Sequence, residues 1–302
     1  MEDEIITATP APDVAIILGK ATHVRVLGQS TILRNASHKF AALLDTISVD
    51  DQKISCDTKD LPRITLPGDF QVDTAATMLR YLHHDYYENE MPDCETIMDI
   101  AMLADEFEVL SSLGSYLESL IQARTFTSES SADLCFLLLA ASTIQASNAF
   151  KSVSAKLLRV GPATSFHRQF YECFRVRAFE PQMSTMLDAK RAQINSKLVE
   201  RLSPALNSTR RCNCTDVSGR LEYIQAELED CMDTNDTRTP QKRLEQLEEA
   251  QAELIKMEKS SYYVRTQGTC IGCVLRHARV CMGHAIQDIR NICYEGLSLA
   301  DV

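Results

Sequence analysis

Asp13-Val-Ala-Ile-Ile-Leu18 and Val24-Arg-Val-Leu27, with the helical stretch after them, decide the reading of the first third of this chain. The first run is almost continuously apolar, as in a strand covered on both faces. In the second, Val24 and Val26 flank Arg25 with period two, so one face is buried. Gly28-Gln29-Ser30 opens a helix with Ser30 as its predicted N-cap. Along that helix Ile32, Leu33, Ala36, Phe40, Leu43 and Leu44 recur at helical spacing. Upstream, residues 1–11 are acidic and carry Pro10, and they read as a disordered tail. Downstream, Asp45 to Asp60 is polar and reads as a loop. Ile64 and Leu66 make a strand that stops at Pro67-Gly68. Asp73 is the predicted cap of a helix through Ala76, Leu79, Tyr81 and Leu82. Tyr86-Tyr87 is a short extended piece. Asp93 caps the next helix, with Ile97, Ile100, Ala101, Ala104 and Phe107 on one side, and Leu110, Leu113 and Leu117 continue into another.

This order resembles a BTB/POZ domain. The residues that carry the resemblance are Asp13-Val14, Ile32-Leu33 with Ser37 and Phe40, Leu66-Pro-Gly-Asp69, Met78-Leu-Arg-Tyr-Leu82, and Ala101, Ala104, Asp105 and Phe107. The ordered set is what matches, not any one piece, and it spans residues 12–123. The resemblance implies a non-enzymatic protein-interaction module that self-associates or binds partners. In some members it tethers substrates to cullin-type ubiquitin ligases, and others sit in transcription factors. Two positions depart from the family pattern. Gln29 stands where a His usually opens the first helix, and Val49-Asp50-Asp51 carries Asp where cullin-binding members have a hydrophobic-x-Glu motif. The residues before Asp13 read as too few for the extra helix and strand of strand-swapped dimers.

The formal net charge of −11 argues against a broad nucleic-acid surface, because phosphate contacts need clustered Lys and Arg. It argues equally against an acidic membrane surface. The longest apolar run, Leu134 to Ala141, is far short of the ~20 residues of a membrane span. The start, Met1-Glu-Asp-Glu, has neither the basic nor the apolar region of a signal peptide. The expected location is intracellular, cytoplasm or nucleus, with no membrane partner. The eleven cysteines then read as reduced thiols or metal ligands.

Residues 124–208 read as a helical extension, similar in position and helicity to the BACK region of BTB proteins. Ser131 caps the run from Leu134, which with Ile144 makes a helix buried nearly all round. Phe150, Val153, Leu157 and Leu158 form a second helix that Gly161-Pro162 ends. Phe166, Phe170, Tyr171 and Phe174 form an aromatic cluster of core type, and Pro181 starts a long helix that ends at Pro204. His167 and Cys173 lie close in sequence, but no third group that would orient the His for thiol catalysis is recognisable.

The remaining region, 209–302, is Cys-rich. Cys212-Asn-Cys214 and Cys270-Ile-Gly-Cys273 flank two helical patterns. Leu221, Ile224, Leu228 and Met232 make the first. Thr239 as N-cap and Pro240 at the first helical position open the second, which carries Leu244, Leu247, Leu254 and Met257. At ~1.5 Å per residue these helices are about 24 and 30 Å long, so an antiparallel hairpin returns the chain near its starting point. Cys212, Cys214, Cys270 and Cys273 are therefore candidate ligands of one structural zinc ion, with His277, Cys281 and His284 as alternates. Buried core thiols and a redox pair are the competing readings of the same residues. A further helix runs from Val274 to Leu297 with Val280, Ile286, Ile289 and Ile292 apolar.

The fold class expected is α+β: a BTB/POZ-like domain followed by an all-α C-terminal extension with a helical hairpin. The layout, with late paired cysteines, resembles BTB proteins of filamentous fungi. The expected function is a protein-binding scaffold or adaptor. A substrate adaptor of a cullin-type ligase and a transcriptional regulator with a C-terminal zinc module are the alternatives, and the absence of a basic recognition helix counts against the last.

Overall fold

The computed structural model describes residues 4–18, 24–47, 61–68, 70–85, 91–161, 165–173, 181–210, 218–233, 239–260 and 271–298. The class is α+β, mostly helical with one small mixed sheet. The chain divides into two compact units, one of residues 1–128 and 136–150 and one of residues 129–135 and 151–302.

The first unit is built on four strands: β1 (Glu4–Thr7), β2 (Val14–Leu18), β3 (Val24–Gly28) and β4 (Arg63–Thr65). Their spatial order is β1-β3-β2-β4. β2 and β3 form an antiparallel pair with Ile16 opposite Val26, and β4 lies parallel to β2 with Ile64 opposite Ile16. β2 therefore has a neighbour on each side, and Val14, Ala15, Ile16 and Leu18 are buried, as its apolar run requires.

β1 corrects the reading of residues 1–11 as a disordered tail. It pairs in parallel with β3, Ile6 opposite Val26, and Ala8 beyond it is buried. The apolar alternation here is too short to register against its acidic neighbours, and the tie comes from the ladder and from the bond of Ala8 N–H to the Leu27 carbonyl, 3.0 Å.

Among the described residues, five helices lie wholly in the first unit: α1 (Ser30–Ala36), α2 (His38–Asp45), α3 (Val72–Leu82), α4 (Cys94–Glu106) and α5 (Leu110–Thr127). The single helix expected from Ser30 to Leu44 is two. Ser37 breaks it in an extended conformation, φ −158° and ψ 139°, and its hydroxyl accepts from the Lys39 and Phe40 N–H groups at the start of α2. The same hydroxyl donates to the Phe107 carbonyl, 2.5 Å, and the Phe40 ring stacks on Phe107 with centroids 5.3 Å apart. Ser37 is thus a helix cap on one side and a tie to the end of α4 on the other.

Three other predicted caps move. Ser131 is the first residue of the helix Ser131–Thr143, and the Ser130 hydroxyl before it accepts from Asp133 N–H at 3.4 Å. Ser30 is the first residue of α1, and Asp13 caps the helix from outside: its carboxylate accepts from Ser30 N–H at 2.6 Å and from the Ser30 hydroxyl at 2.8 Å. Asp73 lies in the first turn of α3, where a carboxylate favours the helix dipole, but the N-cap is Gln71. The Asp93 cap is as expected, accepting from Thr96 N–H at 2.7 Å. α4 stops without glycine: Glu108 takes a left-handed conformation, φ 59°, and Val109 N–H returns to the Ala104 carbonyl, 2.8 Å. Val49-Asp50-Asp51 and Tyr86-Tyr87 lie outside the described residues.

The sheet meets α1 and α3 at one corner. Gly28 ends β3 there because a β-carbon would stand 3.0 Å from two ring atoms of His83 and 3.2 Å from Ile16. His83 Nδ1 lies 2.7 Å from the Leu79 carbonyl, and Nε2 accepts from Gln29 N–H at 2.8 Å. Those two bonds need a neutral ring protonated on Nδ1. Burial, the largest cause, lowers the His83 pKa from its ordinary value, with Asp13 opposing and His84 assisting.

The helices of the second unit, with two that the division crosses, are α6 (Ser131–Thr143), α7 (Ser147–Val160), α8 (Phe166–Cys173), α9 (Pro181–Arg210), α10 (Ser218–Met232), α11 (Pro240–Ser260) and α12 (Ile271–Glu295). The three-part division expected at 123 and 208 differs from this one. Residue 123 falls inside α5, and α9 to α12 share one core, so 209–302 does not separate from the long helix before it. α9 also passes through Pro204 to Arg210. Proline removes one backbone donor, but Leu202, Ala205 and Leu206 are buried on either side of it and keep the helix against the core. α7 ends at Val160, before Gly161, whose added β-carbon would meet the Leu157 carbonyl at 2.3 Å.

His83 gives a pH test. A ring held neutral in the folded state and free to protonate in the unfolded chain contributes stability that is complete above about pH 6.5 and is lost as pH falls toward its lowered folded value. Chemical denaturation of the chain across that window is expected to show stability rising with pH, and His83→Gln is expected to flatten this slope. An unchanged slope in the variant would show that other groups set it.

Candidate functional site

The sequence placed its candidate chemistry at the C-terminal cysteines, so the helices around them come first. α9 presents Ile194, Leu198, Leu202, Ala205 and Leu206 at three- and four-residue spacing, and all are buried. α10 adds Ile224, Leu228 and Cys231, α11 adds Leu247, Ala250, Leu254 and Met257, and α12 adds Leu275, Ala278, Met282 and Ile289. These faces close on one another, α12 packing against both α9 and α11.

The directions follow from polar contacts between the helices. Arg201 bonds Asp288 at 2.8 Å and Lys190 lies 3.6 Å from Glu295, so α9 and α12 run antiparallel. Arg290 bonds Glu248 at 2.6 Å and Gln251 bonds the Arg279 carbonyl at 3.2 Å, so α11 and α12 do too. At the turn between α10 and α11, Thr239 caps α11 through Lys242 N–H, as the sequence predicts. The two helices form the expected hairpin, set within a four-helix cluster. Arg210, the last residue of α9, and Ile271, the first of α12, consequently lie at the same end of this cluster.

Of the four candidate zinc ligands, Cys212, Cys214 and Cys270 lie outside the described residues. Cys273 is in α12, but its side chain also lies outside them. The alternates are described. His277 and Cys281 are one turn apart on α12, with Nε2 3.7 Å from Sγ, and His284 is exposed one turn further on. Among the described residues no three His, Cys, Asp or Glu side chains are grouped to hold a metal ion. The Cys281 thiol is pushed up by burial, with Arg201 opposing, so the His277 contact does not make it an activated thiolate. Val280, expected on the apolar face, is 45% exposed, because it lies on the side of α12 opposite the buried Ala278 and Met282.

Cys231 and Cys293 are buried members of the core. Burial pushes the Cys293 thiol up to about 11, against the opposing effect of Arg159 and Arg191. These two guanidinium groups lie on ring faces. Arg191 sits 4.1 Å from the Phe166 centroid and Arg159 5.3 Å from that of Tyr294. Burial lowers the Arg191 pKa to about 10, with Asp188 opposing. A third, Arg243, is only 4% exposed and donates to Asn195 Oδ1 at 2.9 Å and to the Asp233 carbonyl at 3.1 Å. A small surface depression is lined by Arg159, Pro240, Leu244, Ile289, Cys293 and Tyr294. In the aromatic cluster, Phe166 and Phe170 are buried, Tyr171 is 65% exposed, and Phe174 lies outside the described residues.

His167 does not join Cys173. Its Nδ1 lies 3.3 Å from the Ser184 hydroxyl. The contact that the sequence reading missed is between two cysteines, Cys173 and Cys135, whose side chains are hydrogen-bonded. Both are free. Helical spacing on α6 and α8 marks each as inward-facing, but nothing in the sequence pairs one helix with the other.

Arg243→Ala is expected to lower stability by about 2–3 kcal/mol, because it removes charge-assisted bonds and leaves the Asn195 and Asp233 acceptors without their partner. A lowered denaturation midpoint with unchanged helical circular dichroism checks this, and a midpoint equal to that of the parent chain would contradict it. No family model, curated protein or solved structure matches the chain.

Proposed function

We propose that this chain is a non-enzymatic protein-interaction protein whose first unit is a BTB/POZ-like module and whose helical unit supplies a second contact surface. The observation that carries the reading is the order and pairing of elements in the first unit. The antiparallel β2–β3 pair is followed by the helix pair α1–α2, then by β4 beside β2, then by α3, α4 and α5. This order supports the resemblance, although the sequence reading has one helix where α1 and α2 stand and no strand before β2. A homodimer or a cullin is the partner such a module takes, and the cullin would make the chain a substrate adaptor. Among the described residues no helix is long and apolar enough to cross a membrane.

Affinity purification from native extract tests the reading, with the full chain compared with residues 1–150, which hold the described elements of the first unit. Partners recovered in stoichiometric amount by the full chain are expected. A cullin retained by both chains would establish the adaptor form, and partners held only by the full chain would place specificity in the helices. A chain that is monomeric and recovers no partner would overturn the proposal.

The zinc clamp belongs to the same reading. Its support is the common end reached by Arg210 and Ile271, since Cys212 follows the first closely and Cys270 immediately precedes the second in sequence. Full-length protein purified without chelator is expected to carry close to stoichiometric zinc, reduced in Cys273→Ser. Metal-free protein of unchanged stability would remove the clamp and leave core thiols.

A further inference from the structure

Two contacts one turn apart join α6 to α8. The Gln169 amide donates to the Ser131 hydroxyl at 2.5 Å, and four residues further along each helix Cys173 meets Cys135. The helices therefore run in the same direction here, and the four side chains form two successive rungs between them. Cys135 is fully buried at 0% exposure, whereas Cys173, the last residue of α8, is half-buried.

We propose that Cys135 and Cys173 are an oxidation site, a dithiol that closes to an intramolecular disulfide when the chain meets a peroxide. The accessible sulfur reacts first. The Cys173 thiolate attacks one oxygen of hydrogen peroxide, the O–O bond breaks, and hydroxide leaves, giving a sulfenic acid on Cys173. The Cys135 sulfur then attacks that of Cys173. The S–O bond breaks, the S–S bond forms, and the hydroxyl departs as water with the proton from Cys135. Two electrons pass from the pair to the peroxide, which becomes two waters. A dithiol reductant reverses the change.

The asymmetry of the pair assigns the order. The hydrogen bond to Cys173, and then burial, push the Cys135 thiol up, so it stays protonated and poorly reactive toward peroxide on its own. The same contact keeps it beside the sulfur that oxidises, which is what a resolving thiol requires. Of the other described cysteines, Cys94, Cys231 and Cys293 are buried, and Cys281 lies 3.7 Å from His277 Nε2.

Full-length protein treated with hydrogen peroxide, alkylated and digested without reduction tests this by peptide mass spectrometry. A cross-linked pair of peptides carrying Cys135 and Cys173 is expected, with both thiols lost in parallel and recovered by dithiothreitol. Cys173→Ser is expected to leave Cys135 reduced under the same treatment. Cys135→Ala is expected to leave Cys173 as a sulfenic acid trapped by dimedone. If Cys135→Ala does not fold, judged by circular dichroism, the surface variant Cys173→Ser decides alone. Oxidation of Cys173 to the sulfinic acid in the parent chain with Cys135 still reduced would overturn the proposal. So would a bridge from either cysteine to any other, or loss of the Cys135 thiol in Cys173→Ser.

Discussion

A backbone donor leaving a buried strand has to be met, and here the acceptor is a neutral imidazole. Gln29 N–H, just past β3, bonds His83 Nε2, and His83 is anchored in turn by the Leu79 carbonyl of α3. Much of the first unit depends on that bond. It brings α3 close enough that residue 28 must lack a side chain, and it fixes where the chain turns out of the sheet. Asp13, entering β2 alongside, then finds the exposed N–H and hydroxyl of Ser30 in reach and caps α1. The backbone amide of Gln29 occupies the corner, and the imidazole comes from the end of α3. A protonated ring could not accept from Gln29, so the corner is coupled to the charge state of one side chain.

The helical unit relies on the opposite arrangement, apolar stripes with few polar constraints. Stripes alone leave rotation and register loosely specified, since Leu, Ile and Met faces of similar volume repack at small cost. The polar groups that do enter the interior supply what the stripes lack. Arg243 reaches from α11 to Asn195 on α9 and to the Asp233 carbonyl after α10, so one side chain fixes three helices at once. The Arg201–Asp288 and Arg290–Glu248 pairs are half-exposed and contribute little each, but they are met in only one register. A lone misplaced guanidinium in this core would cost more than any of these pairs gains, and that excludes shifted packings.

Elements with one strong local signal were legible in the sequence. The runs at Val14–Leu18 and Leu134–Ala141, the Asp93 and Thr239 caps, the stop before Gly161 and the α10–α11 hairpin are set by residues close in sequence. What was missed depends on distant partners. β1 exists because β3 offers it a ladder, α1 and α2 separate because Ser37 bonds Phe107, seventy residues away, and α9 continues past Pro204 because the core holds both sides of it. The candidate site divides the same way. The spacing of His277 and Cys281 correctly put them on one face, whereas the meeting of Cys135 with Cys173 follows from how α6 and α8 lie, which no periodicity encodes.

The cysteines show why spacing alone assigns thiol chemistry poorly. Motif spacing singles out residues near in sequence, yet His277 and Cys281 form a contact in which burial disfavours the thiolate, so proximity to an imidazole does not activate it. Cys231 and Cys293 are apolar filling, and their raised or buried state follows from the core around them. Reactivity needs two further conditions, exposure of one sulfur and a partner held against it, and both are properties of tertiary packing. Antiparallel α9 and α12 add a third lesson. They bring chain segments far apart in sequence to one end of the cluster, so a long gap between two cysteine pairs is no measure of their separation in space.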